Sequence, residues 1–102
     1  MPWDNPTWYP YTPQSVDANA PADSGVYAIA IRDRVVTKEW IYIGESQDIR
    51  EDLRQHLGGG NPCISQAPRA NSFSFERRDA LMRGPRQEAL IAEFGPTRCN
   101  QT

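Results

Sequence analysis

Two short runs of β-branched and aromatic residues, each bounded by a glycine, constrain the fold of this chain more than any other feature. The first run is GVYAIAI at 25–31 and the second is WIYIG at 40–44. Residues of these types favour extended strands, and Tyr27 and the isoleucines of the first run alternate with smaller residues, so both faces of that strand are occupied. The polar residues 32–39 between the runs predict a loop that joins the two strands into a hairpin.

Signals for helices and one further strand follow along the chain. They predict a helix capped by Ser46 that runs to about Leu57 and is stopped by GGG, followed by a short helical turn that opens at Asn61-Pro62. They also predict a third strand SFSFER at 72–77 and a helix from 84 to about 94. The predicted order is β–β–α–(short α)–β–α. The fold class is therefore α+β, with a small three-stranded mixed or antiparallel sheet flanked by helices.

Residues 1–23 predict an extended arm in front of a single domain at 24–102. Five of the nine prolines, at 2, 6, 10, 13 and 21, fall in this arm together with two tryptophans and two tyrosines. Prolines at this density argue against a regular helix or a central strand. The rings either cover an apolar face of the domain or stack on bases and dock a protein partner.

Composition places the chain among ordinary globular domains and sets its expected compartment. The 102 residues are 38% hydrophobic and 24% charged, with a net charge of -2. Without an apolar run of membrane length or a signal-like start, we expect a cytoplasmic protein with no membrane partner. Cys63 and Cys99 are expected to be reduced thiols, and their spacing relative to His56 matches no compact zinc motif.

Arginine provides almost all of the positive charge, since Lys38 is the only lysine among the eleven basic residues. Residues 69–86 hold five arginines against Glu76 and Asp79, which leaves that segment at +3. The planar guanidinium suits phosphate. An overall pI near 5.3 lacks the general basicity of a strong nonspecific nucleic-acid binder, so these arginines are either solvated or form a local phosphate-binding face.

Three residues are the first candidates for chemistry. Tyr27 and Tyr42 lie on the two strands of the predicted hairpin, which brings the phenols near each other and near the N-terminus of the following helix, where backbone amides can bind a phosphate. Glu88 lies near the start of the last helix. Each also has a purely structural interpretation: strand tyrosines are usually core residues, and a glutamate in a first turn favours the helix dipole.

The order of these motifs resembles that of the GIY-YIG nuclease family. Gly-Val-Tyr at 25–27 is followed by Tyr-Ile-Gly-Glu-Ser at 42–46, by a helix with His56, and finally by Glu88 and, twelve residues later, Asn100. The resemblance covers residues 24–100 and implies the family's small mixed sheet flanked by helices.

The resemblance also implies a set of roles. Tyr27 is the base-like tyrosine, Tyr42 a second contact to phosphate or water, and Glu88 the ligand of one Mg²⁺ or Mn²⁺. Substrate-binding positions are Gly44, Ser46, Arg50, His56 and Asn100. A single carboxylate is chemically adequate because Mg²⁺ keeps several waters and takes further oxygen ligands from phosphate.

Asp52 departs from the family pattern, which has an arginine ten residues after the second tyrosine. Arg50 and Arg54 flank it but lie about 200° around the helix axis. Loss of one donor to transition-state charge typically costs about 10²–10³ in rate, and the carboxylate adds repulsion.

The sequence therefore predicts an endonuclease that hydrolyses phosphodiester bonds and is slowed by Asp52. Its expected nucleic-acid partner is DNA, with RNA as the alternative. The alternative is a catalytically degenerate module of the same family that binds nucleic acid or protein.

Overall fold

The structure is a computed structural model that describes residues 3, 5–33, 36–65, 70–95 and 97–100. Its elements, in chain order, are β1 (Tyr9–Pro10), α1 (Pro13–Asn19), β2 (Gly25–Asp33), β3 (Val36–Ser46), α2 (Ile49–Leu57), α3 (Pro62–Ser65), β4 (Ser72–Arg77) and α4 (Arg83–Phe94). No helix in these residues is both long and apolar enough to cross a membrane.

The four strands form one antiparallel sheet in the order β1-β4-β2-β3. The α+β class is confirmed, but the sheet has four strands where the sequence predicted three. β2 is central, and its Tyr27 pairs with Gly44 on one side and with Phe75 on the other. From β2 to α4 the elements follow one another along the chain as β–β–α–α–β–α, and the GIY-YIG-like arrangement stays a prediction.

Alternation along the strands divides the core into two layers. On one face, here called the α2 face, Tyr27, Ile29 and Phe73 pack with Ile49 and Leu53 of α2. On the opposite face, here called the α4 face, a second set of residues packs together: Val26, Ala28, Ile43, Leu90, and the partly buried Trp3, Trp8, Trp40 and Phe94. Side chains from successive positions of β2 therefore serve both layers.

The arm contains more regular structure than its prolines suggested. Pro13 begins α1, where a missing N–H has no cost, and Thr12 caps the helix by accepting a hydrogen bond from Ser15 N. No proline falls between 14 and 20, so the helix runs without interruption. The prediction of an arm without a helix was wrong because it used proline density and ignored proline position. The boundary at 23/24 stays a prediction.

Two local predictions between β2 and α2 were also wrong. Most of the predicted loop at 32–39 is strand, since β2 reaches Asp33 and β3 starts at Val36. The cap of α2 is Asp48, which accepts a hydrogen bond from Glu51 N at 3.0 Å. Ser46 ends β3 and accepts from Asp48 N at 2.9 Å, so it orients the cap instead of being the cap.

Cys63 and Cys99 form a disulfide between α3 and the C-terminal segment. The expectation of reduced thiols was therefore wrong. It rested on the inferred compartment, whereas the fold brings together two cysteines that are 36 residues apart in the sequence, with Cα atoms 5.7 Å apart.

Candidate active site

Tyr27 lies at the centre of a polar cluster between the sheet and α2. Its hydroxyl oxygen is 2.6 Å from His56 Nε2 and 3.2 Å from Asp52 Oδ2. The ring of Tyr42 lies beside both, with its centroid 6.0 Å from that of Tyr27 and 5.3 Å from that of His56. These four residues are called the Tyr27 cluster below.

Helix α2 supplies both Asp52 and His56. Ile49 and Leu53 are completely buried and fix the helix on the sheet. Asp52 and His56 are four residues apart, so they share one side of the helix. Because the apolar residues fix its rotation, this side points at the Tyr27 hydroxyl.

Gly44 provides the space that the two phenols occupy. A Cβ atom at this position would lie 2.6 Å from the Tyr27 hydroxyl oxygen and 2.7 Å from Tyr42 Cε2. Any side chain would therefore displace a tyrosine ring. This steric requirement explains the glycine, and the substrate contact that the sequence predicted for Gly44 stays a prediction.

The hydrogen bonds assign the protons of the cluster. Burial raises the pKa of Tyr27, and the charges of Tyr42 and Asp52 raise it further, so the phenol keeps its proton. That proton is donated to the Asp52 carboxylate. His56 then donates Nε2–H to the Tyr27 oxygen. In the other tautomer Nε2 would accept the Tyr27 proton, and no proton would remain between the Tyr27 and Asp52 oxygens.

His56 is held neutral in this arrangement. Burial lowers the pKa of His56, and the charge of Asp52 opposes this only partly. Its Nδ1 atom is buried and has no hydrogen-bond partner among the described residues. His56 therefore presents a neutral imidazole to Tyr27 at neutral pH.

Tyr42 is the phenol that solvent can reach. Tyr27 is only 1% exposed, whereas Tyr42 is half-buried at the rim of the cluster. Burial raises the pKa of Tyr42, as do the charges of Asp52 and Glu45, while the Tyr27 hydroxyl acts in the opposite direction. Both phenols are consequently protonated at neutral pH.

Tyr11 brings a third phenol to the core beneath α2. Its ring packs on the α2 face, and burial raises the pKa of Tyr11 to about 12. The charge of Tyr11 also raises the pKa of Tyr27 slightly. Sequence reasoning assigned this residue to the arm and missed its place beside the cluster, because nothing local in the sequence indicates where α1 packs.

Glu88 lies on a different helix from the residues of α2 that contact the phenols. It is exposed on α4, the helix that packs on the opposite face of the sheet through Leu90. In the described part of the chain, Glu88 makes no hydrogen bond or ion pair to the Tyr27 cluster or to any other group. The convergence of Tyr27 and Tyr42 is present, whereas the position of Glu88 relative to a bound phosphate stays a prediction.

Asn100 and Gln87 hold the strand that carries Tyr42. The Asn100 side chain donates to Ile43 O at 2.9 Å and accepts from Ile43 N at 2.7 Å. Gln87 Nε2 also donates to Ile43 O, at 3.1 Å. Asn100 thus has a structural contact one residue from Tyr42 and Gly44.

Arg50 and Ser46, which the sequence placed at the substrate, have structural partners. Arg50 Nε donates to Ala20 O at 2.8 Å and joins α2 to the end of α1. The Ser46 hydroxyl orients the Asp48 cap. A substrate contact by either residue is still untested.

Most arginines face an acidic partner. Within the described residues, the ion pairs include Arg54–Asp17, Arg54–Glu51, Arg77–Asp23, Arg78–Glu76, Arg83–Glu45, Arg86–Glu76 and Arg98–Glu39. Glu76 has a 1% exposed side chain and holds two arginines. The basic segment predicted at 69–86 is therefore largely neutralised by partners outside it or within it, and its Arg69 lies outside the described residues.

A hard cation would take its protein oxygens from carboxylates such as those of Asp52 and Glu88. The described residues contain no group of three or more histidine, cysteine, aspartate or glutamate side chains arranged to hold a metal ion. The protonated phenols and the neutral imidazole of the cluster are poor ligands for Mg²⁺. The exposed Glu88 carboxylate is a suitable single ligand for an ion that keeps most of its waters.

No family model, curated protein or solved structure matches this chain.

Proposed function

We propose that the chain is a metal-dependent phosphodiester hydrolase of the GIY-YIG type that acts on DNA, or alternatively on RNA, and that Asp52 makes it slow. The observation that carries the proposal is the convergence of Tyr27, Tyr42 and His56 at one point of the sheet, with Gly44 leaving room for the phenols. A fold needs no such group of polar side chains for its core, and buried polar groups cost free energy unless they are paired.

We assign the contact with the substrate to Tyr42. Its side chain is half-buried, so its hydroxyl can hold the attacking water by a hydrogen bond, while the rings of Tyr27 and His56 pack beside it. The water oxygen bonds to phosphorus, the bond from phosphorus to the leaving oxygen breaks, the proton of the water passes to solvent, and the leaving oxygen takes a proton from solvent to become a hydroxyl. Because both phenols keep their own protons, neither takes the water's proton, and attack is slow.

A divalent metal, which Glu88 would hold, supplies charge neutralisation of the phosphate when bound. Glu88 needs no other carboxylate for this role if water and phosphate complete the coordination.

Asp52 opposes the reaction in two ways. Its charge raises the pKa of both phenols, and the same charge repels the phosphate oxygens. An arginine at this position would donate a hydrogen bond to the Tyr27 oxygen instead of accepting one. That reversal would lower the pKa of both phenols and place a cation near the developing charge.

A second candidate is a binding module that has lost catalysis. Two observations favour it: Asp52 stands where the family's arginine is expected, and most of the described arginines are engaged in ion pairs. Such a module would bind a nucleic acid or a protein with an intact fold and no turnover.

Plasmid nicking in Mn²⁺ tests the proposal directly. We expect slow nicking by the wild type and loss of nicking in Glu88→Ala. Glu93→Ala, which removes an exposed glutamate from the same helix, is the matched control and should keep activity. Equal nicking by the two variants would show that Glu88 holds no catalytic metal, and no nicking by any protein would favour the binding module.

A further inference from the structure

The C-terminal segment 97–100 lies along the outer edge of β3. Cys99 N donates to Ile41 O at 2.8 Å. The Asn100 side chain then forms both bonds to the backbone of Ile43. These contacts satisfy the edge groups that a further strand would satisfy, so the segment closes this part of the sheet.

The disulfide is the covalent anchor of this segment. It joins Cys99 to Cys63 in α3, and the chain contains no other cysteine. The Arg98–Glu39 ion pair is about two-fifths exposed on both sides, so it contributes little to holding the segment. Thr97 is buried and bonds to Asn100, which ties the segment mainly to itself.

The same link joins the two halves of the Tyr27 cluster. Ile43 lies between Tyr42 and Gly44 on β3, and α3 follows the short glycine loop after α2, the helix that carries His56. The disulfide therefore connects the strand of Tyr42 to the chain that leaves the helix of His56.

We propose that Cys63–Cys99 is a redox-sensitive clamp that holds Asn100 against Ile43 and so fixes the strand of Tyr42. A dithiol reductant opens it: one thiolate of the reductant attacks a cysteine sulfur, breaks the S–S bond and forms a mixed disulfide with that cysteine. The second thiol of the reductant then attacks the mixed disulfide and releases the cysteine. The chain gains two electrons and two protons, which converts the disulfide into two thiols, and the reductant becomes a disulfide. Loosening the strand of Tyr42 would also slow cleavage, and that consequence rests on the proposed function. The release of the C-terminal segment does not depend on it.

Backbone NMR of the full chain, oxidised by glutathione disulfide or reduced by dithiothreitol, tests the clamp. On reduction we expect the order parameters of residues 98–100 to fall from about 0.85 to below about 0.6. The Ile43 amide proton should shift upfield as it loses its acceptor. Phe73, buried on β4, and Leu53, buried in α2, should keep their shifts, since β4 does not pair with β3.

Two variants complete the test. Cys63→Ser/Cys99→Ser should behave as the reduced protein in either buffer. Asn100→Ala should shift the Ile43 amide even with the disulfide intact. Free thiols after oxidation, an ordered segment after complete reduction, or loss of native shifts at Phe73 and Leu53 as well would each overturn the clamp. A clamp that opens in a protein that never cleaves DNA would leave this inference standing and refute the proposed function.

Discussion

At the scale of single residues, the direction of one hydrogen bond decides the chemistry of the cluster. Asp52 accepts the proton of Tyr27 at 3.2 Å, and its charge raises the pKa of both phenols. A carboxylate here stabilises the neutral phenol, whereas a cation would stabilise the phenolate. Residue 52 therefore decides whether this fold favours the neutral phenols or the phenolate form of the two tyrosines.

Tyr27→Phe should lower the free energy of unfolding by about 1–3 kcal/mol. The ring would be kept, but His56 Nε2 and Asp52 Oδ2 would each lose a partner in a partly buried site. Urea denaturation measures the change, with Tyr9→Phe, on the far edge strand, as the control. An unfolding free energy equal to that of the wild type would show that the hydroxyl is not paired as described.

His56 should make the protein less stable as the pH falls from about 7 to 5. Burial lowers its pKa in the folded state, so the unfolded chain, with an ordinary value of about 6.5, binds the proton first. Stability is therefore complete above the unfolded pKa and is lost as the pH falls toward the folded pKa.

Denaturation of the wild type and His56→Gln across this range isolates the effect, because the other titrating groups are shared. In the folded state, the groups that face the imidazole are Tyr27, Tyr42 and Asp52. The variant should show a flatter dependence on pH. As His56 is the only histidine, its NMR titration gives the folded pKa, and a value above about 6.5 would contradict the account.

At the scale of elements, the arm belongs to the core. Trp3 Nε1 donates to the hydroxyl of the buried Ser74, which in turn donates to Thr7 O. Trp3 and Trp8 pack around Trp40. These contacts favour the interpretation in which the rings cover an apolar face, while docking of a protein partner through the arm stays a prediction.

Deletion of residues 1–20 should lower stability by several kcal/mol. It removes the two tryptophans from the α4 face, and Val16 and Tyr11 from the α2 face, and burial of each large apolar side chain contributes about 1.5–3 kcal/mol. Thermal unfolding of the full and shortened chains measures the loss. An unchanged melting temperature with weakened oligonucleotide binding would assign the rings to base stacking instead.

At the scale of the whole molecule, the sequence predicted those strands and helices that are determined by local residue patterns. The strands GVYAIAI and SFSFER and the helices after them follow from periodicity and end signals, and all are found. Asp52 and His56 share a helix face because they are four residues apart in α2.

The rest depends on contacts between distant parts of the chain. Pairing of Tyr9 with Phe73 makes the fourth strand, and packing of the C-terminal segment on β3 joins Cys63 to Cys99. Neither contact has a local signature. The charge of residues 69–86 was counted along the chain, but the ion pairs form across it, as between Arg83 and Glu45.

The central claim is that residue 52 limits phosphodiester hydrolysis on a site that is otherwise competent. Single-turnover cleavage of labelled single- and double-stranded DNA in Mg²⁺ and Mn²⁺ tests it most directly, using Asp52→Arg beside the wild type. Glu51→Arg is the matched control, since it makes the same change of charge on an exposed position of the same helix. Asp52→Arg should cleave roughly 10²-fold faster than the wild type, Asp52→Asn should gain less, and Glu51→Arg should change little. A folded Asp52→Arg protein that remains inert on every substrate, or that is no faster than Glu51→Arg, would contradict the account.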